Sequence, residues 1–293
     1  MQNTQLQSEI GSEPYITGYT LRTLASQGIM SSQDSVDVRS LGCTIDPHLV
    51  KDGDILFVPI DFLDHFFNDI HPHIDAKYKL ISSKSDLTLT DKYEKFIDDK
   101  IIHWWSINNE LTHEKVSSIP LGLDNKHWRF RNNPQGETSI LTDIIHERVE
   151  TSKSILMSFR ISTNEKERQK CYDTFKEVPS VEIINFKDQD RFAYGCLHNY
   201  YRKVKQHMFT LCPFGNGYDC HRIWQVLYLG AVPIIKRHKT MESFYNLPVW
   251  WIDDWNEVLE TNIKEKFETI KSKTYNKEIM FFDYWKRVIN ETR

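Results

Sequence analysis

The sequence predicts an α/β protein of two Rossmann-like domains, and three observations carry that prediction. Continuous apolar runs of strand length alternate with segments of helical spacing, the pattern of a parallel sheet covered on both faces. The alternation occurs once before and once after Asn132-Asn-Pro-Gln-Gly136, a stretch with the composition of a linker. The 293 residues are also enough for two domains that each bury a core of their own.

Residues 1–36 are rich in Gln, Ser and Thr with weak periodicity and read as a polar arm, extended or partly ordered. The first domain takes residues 37–135, with strands over Asp54–Ile60, Tyr78–Ile81, Lys100–Trp105 and Val116–Leu121. Between them, Phe62–Ile70 has helical spacing at Phe62, Phe66, Phe67 and Ile70, and Tyr93–Ile97 is a short helix. The second domain, 136–274, opens on a helix around Ser139–Glu150. It continues with strand Ser154–Phe159, helix Lys166–Phe175, strand Ser180–Phe186 and helix Tyr194–Lys205. Pro248–Ile252 is a late strand, Trp255–Ile270 a helix, and Tyr275–Asn290 a terminal helix within 275–293.

Phe209–Ile235 is the stretch around which the rest is placed. Phe209, Leu211 and Cys212 read as a buried strand, and Pro213–Tyr218 as a turn whose two glycines allow tight or left-handed backbone. Asp219 reads as the N-cap of a helix with Cys220, Ile223, Trp224 and Leu227 at helical spacing. Gly230 stops that helix and Ala231–Ile235 is the next strand. In such a unit the loop and first helical turn face a ligand. Backbone N–H groups and the helix dipole favour an anion there, and His221 and Arg222 add side-chain donors. Phosphate binding and a plain glycine turn are the two readings. Gly215-Asn-Gly217 is not a dinucleotide fingerprint, because the third glycine falls at Cys220, and no Gly-Lys-Ser/Thr of a P-loop follows.

Cys212-Pro-Phe-Gly-Asn-Gly-Tyr-Asp-Cys-His-Arg-Ile-Trp-Gln-Val-Leu-Tyr-Leu-Gly-Ala-Val-Pro233 resembles the nucleotide-sugar-binding motif of exostosin-type glycosyltransferases, roughly CPxGNGxDxHRxWExLYxGxxPV. The resemblance implies a GT-B architecture, two Rossmann-like domains facing a cleft, with a nucleoside diphosphate sugar in the C-terminal one. In such enzymes the last helix often crosses back to the first domain, which is the expectation for 275–293. The donor-binding residues are then Arg160, Arg168, Gly215, Asn216, Gly217, His221, Arg222 and Gln225. Arg160, in Ser158-Phe-Arg-Ile-Ser162, is similar to the Phe-Arg-Gly segment of plant exostosin relatives, with Ile161 replacing the glycine. Arg168 matches a basic position of the same proteins. Where the family usually has Glu, this chain has Gln225, which can hydrogen-bond a ribose without a charge. The activity implied is metal-independent, inverting transfer from a UDP-sugar to a hydroxyl of a glycan or glycoprotein acceptor. Xylose, N-acetylglucosamine, glucuronic acid and galactose are all used by exostosin-like relatives, and a pentose is favoured here.

That chemistry needs charge stabilised on the departing diphosphate and an acceptor hydroxyl made nucleophilic. A helix dipole contributes about 0.3–1 kcal/mol and a charged hydrogen bond roughly 1.5–3, so arginines carry most of the first task. The second falls to a carboxylate at a strand end. Asp61, directly after its strand, is the first choice, Asp86 the second and Asp124 the third; Asp61 also reads as a cap for Phe62–Ile70. Trp104, Trp105 and Trp128 serve either as sugar platforms or as core. Two Asp-x-Asp triplets raise a metal-dependent GT-A alternative. Asp52-Gly-Asp54 precedes its strand and reads as a turn, whereas Asp188-Gln-Asp190 follows one. His71-Pro-His73 with Asp69 and Asp75 reads as a solvated loop, since the proline breaks helical pairing of ligands. A carbohydrate-binding protein with a degenerate donor site is the other alternative.

Net charge is −4 with pI near 6.3, so no global basic field recommends nucleic acid. Five cysteines at irregular positions, 43, 171, 196, 212 and 220, argue against a disulfide framework and for a reducing compartment. No signal peptide or long apolar run is visible, from which a cytoplasmic protein without a membrane span is expected. No cofactor beyond the donor substrate is expected.

Overall fold

The computed structural model describes residues 14–29, 45–125, 138–184 and 194–293. The chain is α/β with two parallel five-stranded sheets. It divides into two compact units, Met1–Leu121 with Glu278–Arg293, and Gly122–Lys277.

In the first unit the strands are β1 (Gln27–Gly28), β2 (Ile55–Phe57), β3 (Tyr78–Ser82), β4 (Ile101–Ser106) and β5 (Val116–Ser118). They pair in the order β1-β2-β3-β4-β5, all parallel. Every residue of β3 is buried, as a central parallel strand requires. Residues 14–29, read as part of the polar arm, are folded. Tyr15, Ile16, Leu21 and Ile29 are buried, and α1 (Gly18–Arg22) begins with a capping box between Thr17 and Thr20. A helix of five residues is too short to show a period, which is why the pattern hid it.

The apolar spacing over 62–70 buries Phe66, Phe67 and Ile70, with Phe67 stacked on Phe96 at 4.8 Å, but the backbone is not one helix. It runs through 3₁₀ turn Ile60–Phe62, α2 (Leu63–His65), π turn Phe66–Ile70 and 3₁₀ turn His71–His73. Pro59 precedes these turns and Pro72 lies within the last of them, and neither has an N–H to extend a ladder.

The second unit contains α3 (Thr138–His146), β6 (Lys153–Met157), α4 (Glu165–Phe175), β7 (Val181–Ile183), α5 (Tyr194–Gln206) and β8 (His207–Leu211). After these come α6 (His221–Tyr228), β9 (Val232–Lys236), β10 (Trp250–Ile252), α7 (Asn256–Leu259) and α8 (Ile263–Lys271). The expected helix over 255–270 is split because Asn262 caps α8, accepting from Glu265 N–H at 3.3 Å. Ile155, Met157, Phe209, Leu211, Val232, Ile234, Trp250 and Ile252 form one core with Phe175 and Trp255. The final helix, α9 (Phe282–Glu291), belongs to the first unit. There the buried Lys79 donates through Nζ to the carbonyls of Ile289 at 2.8 Å and Asn290 at 3.2 Å.

Strand order distinguishes the two units. In the second it is β10-β9-β8-β6-β7. The chain leaves β6 through α4 toward β7 and leaves β8 through α6 toward β9 on the other side. Two neighbouring parallel strands with divergent connections leave a crevice outside their carboxyl ends, where open α/β sheets bind ligands. The described strands of the first unit add one after another in sequence order, with no such reversal.

Candidate functional site

Two loops meet at the reversal in the second unit. Ser158–Asn164 follows β6 and leads into α4; Cys212–Cys220 follows β8 and leads into α6. Asn164 serves both. Its Oδ1 accepts from Glu167 N–H at 3.3 Å, capping α4, and its Nδ2 donates to the Gly215 carbonyl at 2.9 Å. Arg168, one turn on and 5% exposed, donates through Nε to the Phe214 carbonyl and through Nη1 to the Arg160 carbonyl, both at 2.8 Å. A Cβ on Gly215 would lie 3.0 Å from Arg168 Nη2. A side chain at 215 would thus press on Arg168; neither Gly215 nor Gly217 has the left-handed backbone that a glycine turn allows. Gly215 N–H closes the turn on the Gly217 carbonyl at 3.1 Å.

The start of α6 differs from expectation in one respect. Its N-cap is Cys220, without a side-chain cap, and Asp219 instead accepts from Trp224 Nε1 at 2.6 Å. Both partners are buried. The far end is as expected, since Gly230 takes φ +76 where the helix stops.

Arg222, in the first turn of α6, has a buried Nε with no hydrogen-bond partner among the described residues. Burial works against its charge, but Tyr200, Cys220 and Cys212, with a hydrogen bond from the guanidinium to the Tyr200 phenol, raise its pKa overall. None of these is an acid at neutral pH. Burial pushes the Tyr200 phenol up to about 12 and both thiols above their ordinary range. The Phe159 ring lies 6.0 Å from Arg222 Cζ and 5.9 Å from Arg168 Cζ, so both guanidinium groups share one aromatic face or edge.

His221 turns elsewhere. Its Nδ1 lies 2.8 Å from the Gly122 carbonyl, which fixes the proton on that nitrogen, and its Nε2 lies 3.9 Å from Asp124 Oδ1. Gln225 is buried on α6, Arg160 is half-buried, and Asn216 is exposed at the loop tip. Beside the loop, Tyr218 stacks on His238 with centroids 3.4 Å apart, and Phe214 meets both rings edge-on at 5.1 and 5.7 Å.

The structure therefore gathers Arg160, Arg168, Gly215, Asn216, Gly217, His221, Arg222 and Gln225 around one pair of loops. Two of them have other employment: Arg168 holds backbone carbonyls, and His221 holds residues 122–124. Asp61 and Asp86 lie in the first unit, both exposed, after β2 and β3 respectively. Asp61 is not a cap, because Pro59 occupies that position without a side-chain bond. Near Asp86 the backbone takes positive φ at Lys84 (+60), and at Asn108 (+45) after β4, conformations that non-glycine residues seldom adopt.

Trp104 and Trp105 are core residues, at most 2% exposed, with Trp104 Nε1 donating to Ser82 Oγ, so neither is a sugar platform. Asp52 and Asp54 accept backbone N–H groups of Lys77 and Lys51 and form the expected turn. His71 is buried rather than solvated, between Tyr78 Oη at 2.7 Å and Asp98 Oδ2 at 3.2 Å. Trp128, Asp188 and Asp190 lie outside the described residues. Among those described, no group of His, Cys, Asp or Glu is placed to hold a metal ion, and no helix is long and apolar enough to cross a membrane.

Sequence reasoning missed Asn164, Phe159, Tyr200 and the Tyr218–His238 pair. Asn164 before Glu165 carries an N-cap signal, but nothing local announces a second bond to a residue 51 positions away.

Residues 146–292 match the family described as RXYLT1 C-terminal domain. No curated protein matches the chain. The match takes in just over half of the sequence and both loops of the β6/β8 crevice, and the chain belongs to this xylosyltransferase-related family.

Proposed function

We propose that the chain is a GT-B glycosyltransferase that binds a UDP-sugar, UDP-xylose first, at the β6/β8 crevice and passes the sugar to a hydroxyl of a glycan acceptor with inversion. The observation that carries this reading is Arg222, a desolvated guanidinium at the start of α6 whose strongest neighbours are a neutral phenol and two neutral thiols. No carboxylate is among the groups acting on it most strongly, and a diphosphate is the counterion that a helix N-terminus beside a strand reversal favours. Arg160 and the α6 amides add donors, and Gln225 meets the ribose. The family's relation to xylosyltransferases is the ground for xylose.

In the reaction, the acceptor oxygen attacks the anomeric carbon as the bond to the diphosphate breaks in line. The acceptor proton passes to a carboxylate, for which Asp61 is the choice, and the leaving charge is met by guanidinium groups without a divalent cation.

The test is calorimetry with UDP, GDP and their sugars in EDTA, followed by turnover of UDP-xylose. Arg222→Met separates function from folding. Replacing Arg222 with an apolar side chain removes a desolvated charge together with its bond to Tyr200, two effects that oppose each other in stability, whereas losing one charged hydrogen bond to phosphate weakens UDP binding by about tenfold to a hundredfold. The expected result is a little-changed melting temperature with weakened UDP binding. A wild-type protein that binds none of these nucleotides sinks the reading.

A further inference from the structure

We propose that Asn164 and Arg168 are positioning residues that set the shape of the diphosphate loop by tying it to the loop after β6, so that donor affinity depends on two side chains outside the donor's own contacts. This rests on the nucleotide-sugar reading above.

Three bonds fall on the backbones of two loops. The carbonyls of Phe214 and Gly215 are held by Arg168 Nε at 2.8 Å and Asn164 Nδ2 at 2.9 Å, while Arg168 Nη1 holds the Arg160 carbonyl at 2.8 Å. A trans peptide is planar, and its N–H points opposite to its carbonyl. Pinning the Gly215 carbonyl toward α4 therefore fixes the Asn216 N–H in the opposite direction, and pinning the Phe214 carbonyl turns the Gly215 N–H to the Gly217 carbonyl, which it meets at 3.1 Å. Between Phe214 and Asp219 the loop carries no proline or left-handed residue; its own Gly215–Gly217 bond sets one amide, and the tie from Asn164 sets the next.

Arginine is needed because its planar fork reaches two carbonyls on separate loops at once, a geometry that a lysine point charge does not reproduce. With 5% exposure Arg168 is also a guanidinium committed to backbone oxygens, and its Nη2 stands 3.0 Å from where a Cβ at position 215 would lie. Asn164 is the more selective handle, since its two ends do different work: Oδ1 caps α4 and Nδ2 holds the loop.

Asn164→Asp exploits that division. The carboxylate still accepts from Glu167 N–H at a helix N-terminus, where negative charge is favourable, so α4 stays capped. The donor to Gly215 is gone. The expected result is an unchanged melting temperature, faster amide hydrogen exchange at Gly215–Tyr218 without any ligand, and UDP affinity about three- to tenfold weaker by calorimetry. Arg168→Lys is expected to weaken UDP binding further; if that variant does not fold, Asn164→Asp decides the matter. Wild-type binding of UDP with exchange and affinity unaltered in Asn164→Asp overturns the positioning role alone. A fall in melting temperature that matches the affinity loss also overturns it, as a purely structural role would give. A wild type that binds no UDP overturns the donor reading and this role with it.

Discussion

Trp224 donates its indole N–H to the Asp219 carboxylate at 2.6 Å, so two residues of the 212–233 motif brace each other across the first turn of α6. With Asp219 2% exposed, the indole is a donor that water cannot readily replace. Trp224→Phe is expected to cost about 1–3 kcal/mol in denaturant unfolding, from the buried acceptor left unmade. Asp219→Asn, which keeps an acceptor oxygen in place, is expected to cost less. The reverse order of urea midpoints contradicts this account.

Glu182 on β7 receives Lys153, Lys203 and, at 3.3 Å, His207. Burial alone raises its pKa, but the two lysines overcome that and hold it at about 2 against an ordinary 4.5. A carboxylate with a depressed folded pKa contributes stability that is complete above 4.5 and is lost as pH falls toward 2. Allowing for solvent screening of a side chain 30% exposed, the contribution is about 1–2 kcal/mol. Glu182→Gln is expected to flatten the acid limb of the unfolding midpoint against pH. An unchanged limb rules the pair out as its source.

Lys79 places a buried ammonium under the last turn of α9, where helix carbonyls lack intrahelical partners. Removing it deletes those bonds and also removes a desolvated charge, so the two effects oppose each other. Lys79→Met is expected to shift the global unfolding free energy by less than about 1 kcal/mol. Local opening is the sensitive readout: amides of Ile289–Glu291 are expected to exchange faster. Protection equal to wild type contradicts the capping role.

If Asp61 accepts the proton of the attacking hydroxyl, Asp61→Asn is expected to lower turnover by about 10²–10⁴-fold. UDP affinity is expected to stay at the wild-type value, because Asp61 has no part in holding the diphosphate. Full turnover in the variant excludes Asp61 as the base and returns attention to Asp86 and Asp124.

The elements that were legible in the sequence are those whose signal is local. The unit from β8 to β9 can be read because Phe209, Leu211 and Cys212 mark the apolar strand, α6 repeats its apolar residues at helical spacing, and Gly230 occupies the left-handed stop. Pairing order was not legible: whether β8 lies beside β6 or β7 depends on contacts about fifty residues apart, with no trace in periodicity. The same holds for the site. Arg222 and the glycine loop announce themselves by position, whereas the role of Arg168 depends on carbonyls 46 residues further along and 8 residues back. Asp219 reads as a cap because Asp before a helix usually is one, but the N-cap position falls to Cys220 and Asp219 Oδ1 takes the Trp224 indole. Residues 60–73 show the limit of spacing itself: Phe66, Phe67 and Ile70 reach the core, but through π and 3₁₀ turns.

Because α9 packs with the first unit while the second is closed within Gly122–Lys277, the polypeptide is discontinuous in its modularity. A tail deletion from Glu278 onward strips Trp285 and Ile289 from the amino-terminal body and leaves the β6/β8 crevice intact in sequence. Dissection for expression therefore calls for an excised middle fragment rather than a carboxyl-terminal half. The span recognised at family level, ending at 292, carries along a helix whose structural allegiance is to the other body.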